Sequence, residues 1–180
     1  AEYDTGHYNH SLHCVGFLWI ATKQSRNPNC TQCILFASLM PLCFLTRVER
    51  FSACHRLHSV QLSDQENQVT FGKCNNANGH GHNYKLEVTL FGPTDPITGM
   101  VINLSDLKSI IQRHVLDILD HKNLDKDVEY FRDKQLVSTT ENLAVFIWQQ
   151  LASALPENLL SEVKLWETES NCVTYKGREK

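Results

Sequence analysis

A chain of 180 residues with 42% hydrophobic content has the size and composition of one globular domain with a modest core. A net charge of -3 and 17 lysines and arginines scattered along the chain exclude the basic stripe that a nucleic-acid partner requires. Seven cysteines, an odd number without regular spacing, exclude a disulfide framework and predict reduced thiols in a cytoplasmic protein.

Residues 1–43 hold neither a helical nor a strand period, so an atypical, poorly ordered N-terminal extension is expected ahead of a domain over residues 44–180. His7, His10, His13, Cys14, Cys30 and Cys33 are of zinc-binding type. Their spacing fits no compact finger, and the Cys30/Cys33 pair has no second Cys-x-x-Cys to complement it. The apolar run CILFASLMPLCFL is too short to span a bilayer, so no membrane partner is expected.

From Phe44 the patterns become regular. FLTRVERFSACH reads as a first strand, its alternation weakened by Glu49 and Arg50. SDQE at Ser63 to Glu66 is a capping box for a short helix ending near Gly72. HGHNYKLEVTLFG predicts a strand with His80, His82, Tyr84, Leu86, Val88 and Leu90 on one face, and GPTDPITG a turn. Ser105 is expected to cap a helix whose stripe is Leu107, Ile110, Ile111, His114, Val115, Ile118 and Leu119. STTE at Ser138 to Glu141 predicts a second long helix, with Ala144, Ile147, Trp148, Leu151 and Leu155 as its stripe, stopped by Pro156. EVKLWET and NCVTYKG read as a closing hairpin that turns at Ser170 and Asn171. The order is ββααββ, the pattern of an α+β domain with helices on one face of an antiparallel sheet.

The chemistry concentrates in GKCNNANGHGHNY, Gly72 to Tyr84. Side chains two apart on a strand point the same way, so His80 and His82 can reach one metal ion together. A His-x-His pair is half a site. His55, at the end of the first strand, is the best-placed third ligand if the first two strands pair antiparallel. Three imidazoles with an open fourth position describe a catalytic zinc; otherwise His55 is a strand-end histidine, and His58 and His114 read as structural. Cys74 fits three roles: zinc ligand, catalytic thiolate or inert thiol. Cys54 and Cys172 lie inside strands and read as packing residues.

Asp120 and His121 follow the first long helix, where an acid beside a histidine is weak evidence of a proton relay. Glu167 continues the face of Val163 and Leu165. A carboxylate in an apolar row is costly unless it is paired or binds something, such as the two parallel N–H donors of an aminopyrimidine edge. The alternative is a strand-end glutamate turned to solvent.

FSACHRL, FGKCNNANGHGHNY, ITGMVINLSDLK, LDHKNLD, STTENLAVFIW and WETESNCVTYKG, in this order, closely resemble the 6-pyruvoyl-tetrahydropterin synthase family in its animal type, from about Thr46 to Gly177. GHGH alone is a weak motif; six segments in register are specific. The resemblance implies the tunnelling fold, a four-stranded antiparallel sheet with two helices on one face. Trimers of such units close a barrel, and two trimers form a homohexamer. It also implies a zinc-dependent lyase converting 7,8-dihydroneopterin triphosphate to 6-pyruvoyl-tetrahydropterin with release of triphosphate, in tetrahydrobiopterin biosynthesis.

Carried over by position, His55, His80 and His82 would hold one zinc per chain. Cys74 would be the base, with Asp120 and His121 its relay from a neighbouring subunit. Glu167 would anchor the pterin, with Thr139 and Thr140 lining the same pocket. No nicotinamide or flavin is expected, and the sequence carries no dinucleotide glycine fingerprint. Two features depart from the family: the long segment before Phe44, and Glu49, which stands where an apolar residue is usual. With no initiator methionine at Ala1, that segment is expected to be a gene-model artefact or part of a partial transcript sooner than a genuine extension. The rival readings are 6-carboxy-tetrahydropterin synthase, a sibling of the same fold, and a non-catalytic zinc oligomer that binds pterins.

Overall fold

A computed structural model of the chain describes residues 40–177. The N-terminal histidine and cysteine group lies outside them, as do residues 1–39 of the expected extension. The elements in chain order are β1 (Leu42–His55), α1 (Asp64–Phe71) and a 3-10 turn (Gly72–Asn75), then β2 (His80–Pro93). Next come α2 (Leu104–Ile111), a π turn (Gln112–Leu116) and α3 (Asp117–Leu119), followed by β3 (Lys122–Asn123). The chain closes with α4 (Leu124–Asp127), α5 (Glu129–Arg132), α6 (Thr140–Ala154), β4 (Leu160–Trp166) and β5 (Cys172–Tyr175).

Two units are distinguished; their described parts are residues 40–43 with Gly92–Val101, and residues 44–91 with 102–177. In the described part of the smaller one, the Thr94 amide donates to the Pro41 carbonyl at 3.0 Å, and the Asp95 carboxylate caps the turn at Ile97 and Thr98.

The sheet order is β3-β1-β2-β4-β5. Thr46 meets Thr89, Phe51 stacks on Tyr84, and Ser52 bonds Asn83, so partner numbers on β2 fall as those on β1 rise and the two strands run antiparallel. β2 and β4 are antiparallel, with Leu86 opposite Leu165 and Val88 opposite Val163, and β4 turns into β5 as the expected hairpin. Phe51, Ala53 and His55 of β1, Tyr84 to Leu90 at alternate positions of β2, and Val163 and Leu165 of β4 are buried, which defines one core face. Helix α6 packs on β4 and β5 and against α2 and the π turn, burying Ala144, Ile147 and Leu151.

The α+β class stands, with a correction in strand count: the sheet has five strands, and β3 runs parallel to β1 through Ala53–Lys122 and Cys54–Asn123. Its cause is local. His121 takes a left-handed conformation with φ 60° and its amide donates to the Ser52 carbonyl at 2.6 Å, which lays the next two residues along the end of β1. Two residues are too short to leave an alternating pattern in the sequence.

Four further expectations shift. The cap of α2 is Asn103, whose side chain accepts from the Ser105 amide; Ser105 lies inside the helix. The cap of α6 is Thr139, which accepts from the Asn142 amide, and this leaves Ser138 free for a different task. The first long helix is interrupted by the π turn. Its fully buried residues Leu107, Ile111, Val115 and Leu119 recur every fourth position. In a regular α-helix that spacing drifts by about 40° per step, and a wider turn takes up the drift. Cys54 and Cys172 lie in strands but are exposed on the helix-free face, not packed in the core.

Helix α1 has the expected capping box between Ser63 and Glu66 and ends at Gly72, which has φ 52°. Its only buried residue, Asn67, donates to the carbonyls of Ser59, Leu62 and Ser63 and accepts from the Ser59 amide. Every hydrogen-bonding atom of that side chain serves the backbone of the loop after β1. Replacing it leaves several buried groups unpaired at once, so Asn67→Ala is expected to lower the unfolding free energy by about 3 kcal/mol in urea titration.

Candidate active site

The core face of the sheet ends in polar residues where β1 finishes and β2 starts. One ring nitrogen from each of His55, His80 and His82 lies within 4.8 Å of the other two. Their ring centroids are 4.6, 5.3 and 5.0 Å apart and the planes are tilted by 54°, 90° and 85°, so the rings converge without stacking. Two glycines permit this. A Cβ on Gly79 would lie 2.8 Å from the His55 carbonyl oxygen, and one on Gly81 would lie 3.2 Å from that of Ala53. Gly79 also has φ 71°, a conformation that glycine adopts without strain.

Among the described residues, Nε2 of His55, Nε2 of His82 and Nδ1 of His80 are buried without a hydrogen-bond partner. Each such atom costs about 1–3 kcal/mol unless something fills the space between them. A cation bound by imidazole lone pairs would remove that cost. His55 is already set for this: its Nδ1 donates to the Ser138 carbonyl at 2.8 Å, which fixes the tautomer and turns the Nε2 lone pair inward. Burial, and then the neighbouring rings of His80 and His82, hold the His55 pKa below its ordinary value against the opposing effect of the Ser138 bond. Burial likewise lowers that of His82, with Glu167 opposing it.

Glu167 stands just beyond β4 on the face of Val163 and Leu165. Its Oε1 is 3.8 Å from His82 Nε2 and 4.0 Å from His55 Nε2, and it accepts from the Thr140 hydroxyl at 2.7 Å. The carboxylate therefore faces the histidines. The Thr139 hydroxyl is engaged in capping α6. Tyr84, fully buried beneath His82 at a centroid distance of 5.6 Å, has a hydroxyl with no partner among the described residues, and burial raises its pKa.

Cys74 lies in the 3-10 turn before β2, half-buried, and its carbonyl accepts from the Leu57 amide at 2.9 Å, two residues past His55. Asp120 and His121 lie beside β1: Asp120 accepts from the Ser52 amide at 2.9 Å and from His121 Nδ1 at 2.9 Å. The Ser52 amide, and then His121, hold the Asp120 carboxyl below the usual range. Both side chains face solvent, and no hydrogen bond joins either to Cys74 among the described residues. His58 has a structural role, bonding Asn75 Oδ1 at 3.0 Å, and His114 is half-buried on its helix. Ser138, Asp125, Arg56 and Asn75 were not anticipated from sequence. They meet their partners through backbone and side-chain groups 13 to 83 positions apart, which leave no local spacing to read.

The family model described as 6-pyruvoyl tetrahydropterin synthase matches residues 44–178. The 6-pyruvoyl tetrahydrobiopterin synthase of Poecilia reticulata is 60% identical over 134 residues, spanning 74% of this chain and 90% of the relative. The human protein of the same description is 59% identical over 71% of this chain and 86% of its own length. The solved structure of 6-pyruvoyl tetrahydropterin synthase from Caenorhabditis elegans superposes with a TM-score of 0.73 at 52% identity, covering 77% of this chain and 98% of that one.

Two outcomes follow from the site's geometry. Gly79→Ala is expected to cost about 2 kcal/mol of stability in chemical denaturation, because the new Cβ meets the backbone of β1 in a left-handed conformation. In the metal-free protein, the lowered His55 and His82 values mean that the unfolded chain binds more protons. The stability they contribute is whole above the ordinary histidine value of 6.5 and is lost as pH falls below it. Urea unfolding of chelator-treated protein at about pH 7.5 and about pH 5.5 should show the lower stability at the acid value.

Proposed function

The chain belongs to the 6-pyruvoyl tetrahydropterin synthase family and is an enzyme of its lyase class, and on that premise we propose the reaction and the residues that carry it. The substrate is 7,8-dihydroneopterin triphosphate and the product 6-pyruvoyl-tetrahydropterin, with triphosphate released. The single observation that carries this reading is the set of three converging, unpaired histidine nitrogens with a carboxylate facing them. All three donors are imidazole nitrogens and leave one side open, which fits zinc of the catalytic kind. Bound there, zinc would act as a Lewis acid toward the hydroxyls of the substrate's side chain.

The chain's own residues then divide the work. Glu167, oriented by Thr140, accepts the two parallel N–H bonds of the pterin edge and fixes the ring. Thr139 stands at the same helix start and lines that pocket. Cys74, as a thiolate, removes a carbon-bound proton from the side chain. His121, held through Nδ1 by Asp120, keeps Nε2 available to accept and return protons. Oxidation and reduction both occur within the substrate, so no nicotinamide or flavin takes part.

The relay of Asp120 and His121 is exposed and unconnected to Cys74 in one chain, which supports its delivery by a neighbouring subunit of a homohexamer built from two trimers. The exposed Phe44, Val48 and Phe91 on the helix-free sheet face support the same assembly. Among the described residues no helix is long and apolar enough to cross a membrane, which is compatible with a cytoplasmic enzyme.

Cys74→Ala is expected to retain zinc and hexamer while losing turnover; unchanged activity would rule out its role as base. Mass spectrometry of the product separates the sibling reaction, since a 6-carboxy product as the main species would replace this reading. Elemental analysis should give about one zinc per chain, and a value far below that removes the three-histidine site.

A further inference from the structure

We propose that Asp125 is a positioning residue that locks the metal-ligand side of the site to the thiol side, using one carboxylate oxygen for each. Oδ1 accepts from the Ser138 hydroxyl at 2.5 Å, and the Ser138 carbonyl is the group that accepts from His55 Nδ1. Ser138 is fully buried, so no water can substitute for that anchor. Oδ2 accepts from the Arg56 amide at 2.6 Å. The Arg56 side chain reaches the opposite way: its Nε donates to the Asn75 carbonyl at 2.8 Å and to Asn75 Oδ1 at 3.1 Å. Asn75 is buried and directly follows Cys74, whose own carbonyl is held by the Leu57 amide. A continuous run of hydrogen bonds thus leads from His55 through Ser138, Asp125 and Arg56 to the turn that carries Cys74.

The position uses both oxygens of a carboxylate. Two donors, a hydroxyl and an amide, arrive at two different oxygens, and an ionised carboxylate accepts on both. An alanine accepts neither, so both arms of the connection open. The loop after β1 contributes Arg56 to one arm and Leu57 to the thiol turn. A shift there therefore moves His55 and Cys74 together, and Asp125 prevents that shift. The helix start at Asn123, whose Oδ1 accepts from the Asp125 amide at 3.1 Å, fixes the carboxylate in turn.

This inference rests on the zinc reading above, and its test keeps the two apart. With Asp125→Ala, zinc affinity measured by competition with a chromophoric chelator is expected to fall about 10- to 100-fold, as for other groups that orient a ligating histidine. Alkylation of Cys74 by iodoacetamide, followed on its own peptide by mass spectrometry, should quicken about 10-fold, the worth of one lost hydrogen bond. Ser138→Ala should weaken zinc alone, and Arg56→Met should quicken Cys74 alkylation alone; these two variants decide the matter if Asp125→Ala does not fold. Zinc held as tightly by Asp125→Ala as by the unsubstituted protein, or only one of its two readouts moving, overturns the inference and leaves the metal site standing. Full zinc affinity in Ser138→Ala, or the original alkylation rate in Arg56→Met, overturns it equally. An unsubstituted protein that takes up no zinc sinks the metal site, and the inference with it.

Discussion

The close approach of the end of β1 to the start of β2 is the constraint on which the site depends. The His55 carbonyl sits where a side chain at residue 79 would begin, and the Ala53 carbonyl crowds the position at 81. Only glycine fits at residue 79, and at 81 a side chain would press on the backbone of β1, so the pair lets the two strands come near enough for His55 to meet His80 and His82. The alternation Gly-His-Gly-His therefore has a mechanical reason as well as a chemical one. The histidines, two apart, supply the ligands on one face, and the glycines between and before them supply the room. Move the strands apart by one methyl group, and three convergent nitrogens become three separate imidazoles.

Around that contact the protein commits buried polar side chains to backbone atoms. Asn67 holds the loop after β1 by four hydrogen bonds, and Asn75 ties Arg56 and His58 to the turn carrying Cys74. Such bonds contribute only about 1 kcal/mol each when made, but each is strongly destabilising when left unmade in the interior. The consequence is specificity of position. The loop from Arg56 to Ser63 carries no apolar stripe that would place it by packing, and these amides define its path. Three of the elements that meet at the site, β1, the thiol turn and the start of α6, are joined through polar groups, while the hydrophobic core lies further along the sheet.

The two faces of the sheet have different characters for a related reason. On the core face, Leu86 opposite Leu165 and Val88 opposite Val163 pack under α6. On the other face Lys85 pairs with Glu87 and lies over the Trp166 ring together with Lys164, and the Trp166 indole donates to Glu87. The charged groups on that face satisfy one another locally. Near Phe44 and Phe91, which stack at 4.4 Å, the same face is apolar and exposed.

The sequence by itself determined the alternation of β2, the capping box of α1, the stop of α6 at Pro156 and the shared parity of His80 and His82, because each is a local rule about neighbouring residues. It also put Glu167 in line with Val163 and Leu165, with solvent as the alternative that the contact to His82 removed. Only the tertiary structure decided which carboxylate faces the histidines and which residue fixes the His55 tautomer. Ser138 illustrates the difference. In sequence it reads as a helix cap, yet the cap falls one residue later, and its carbonyl serves a histidine 83 positions away. Strand β3 and the Arg56 amide on Asp125 are made by backbone groups meeting across long separations, and a backbone amide or carbonyl is the same in every residue type and leaves no mark in a sequence. The Ser138 hydroxyl on Asp125 joins side chains 13 positions apart, a spacing that no local rule marks.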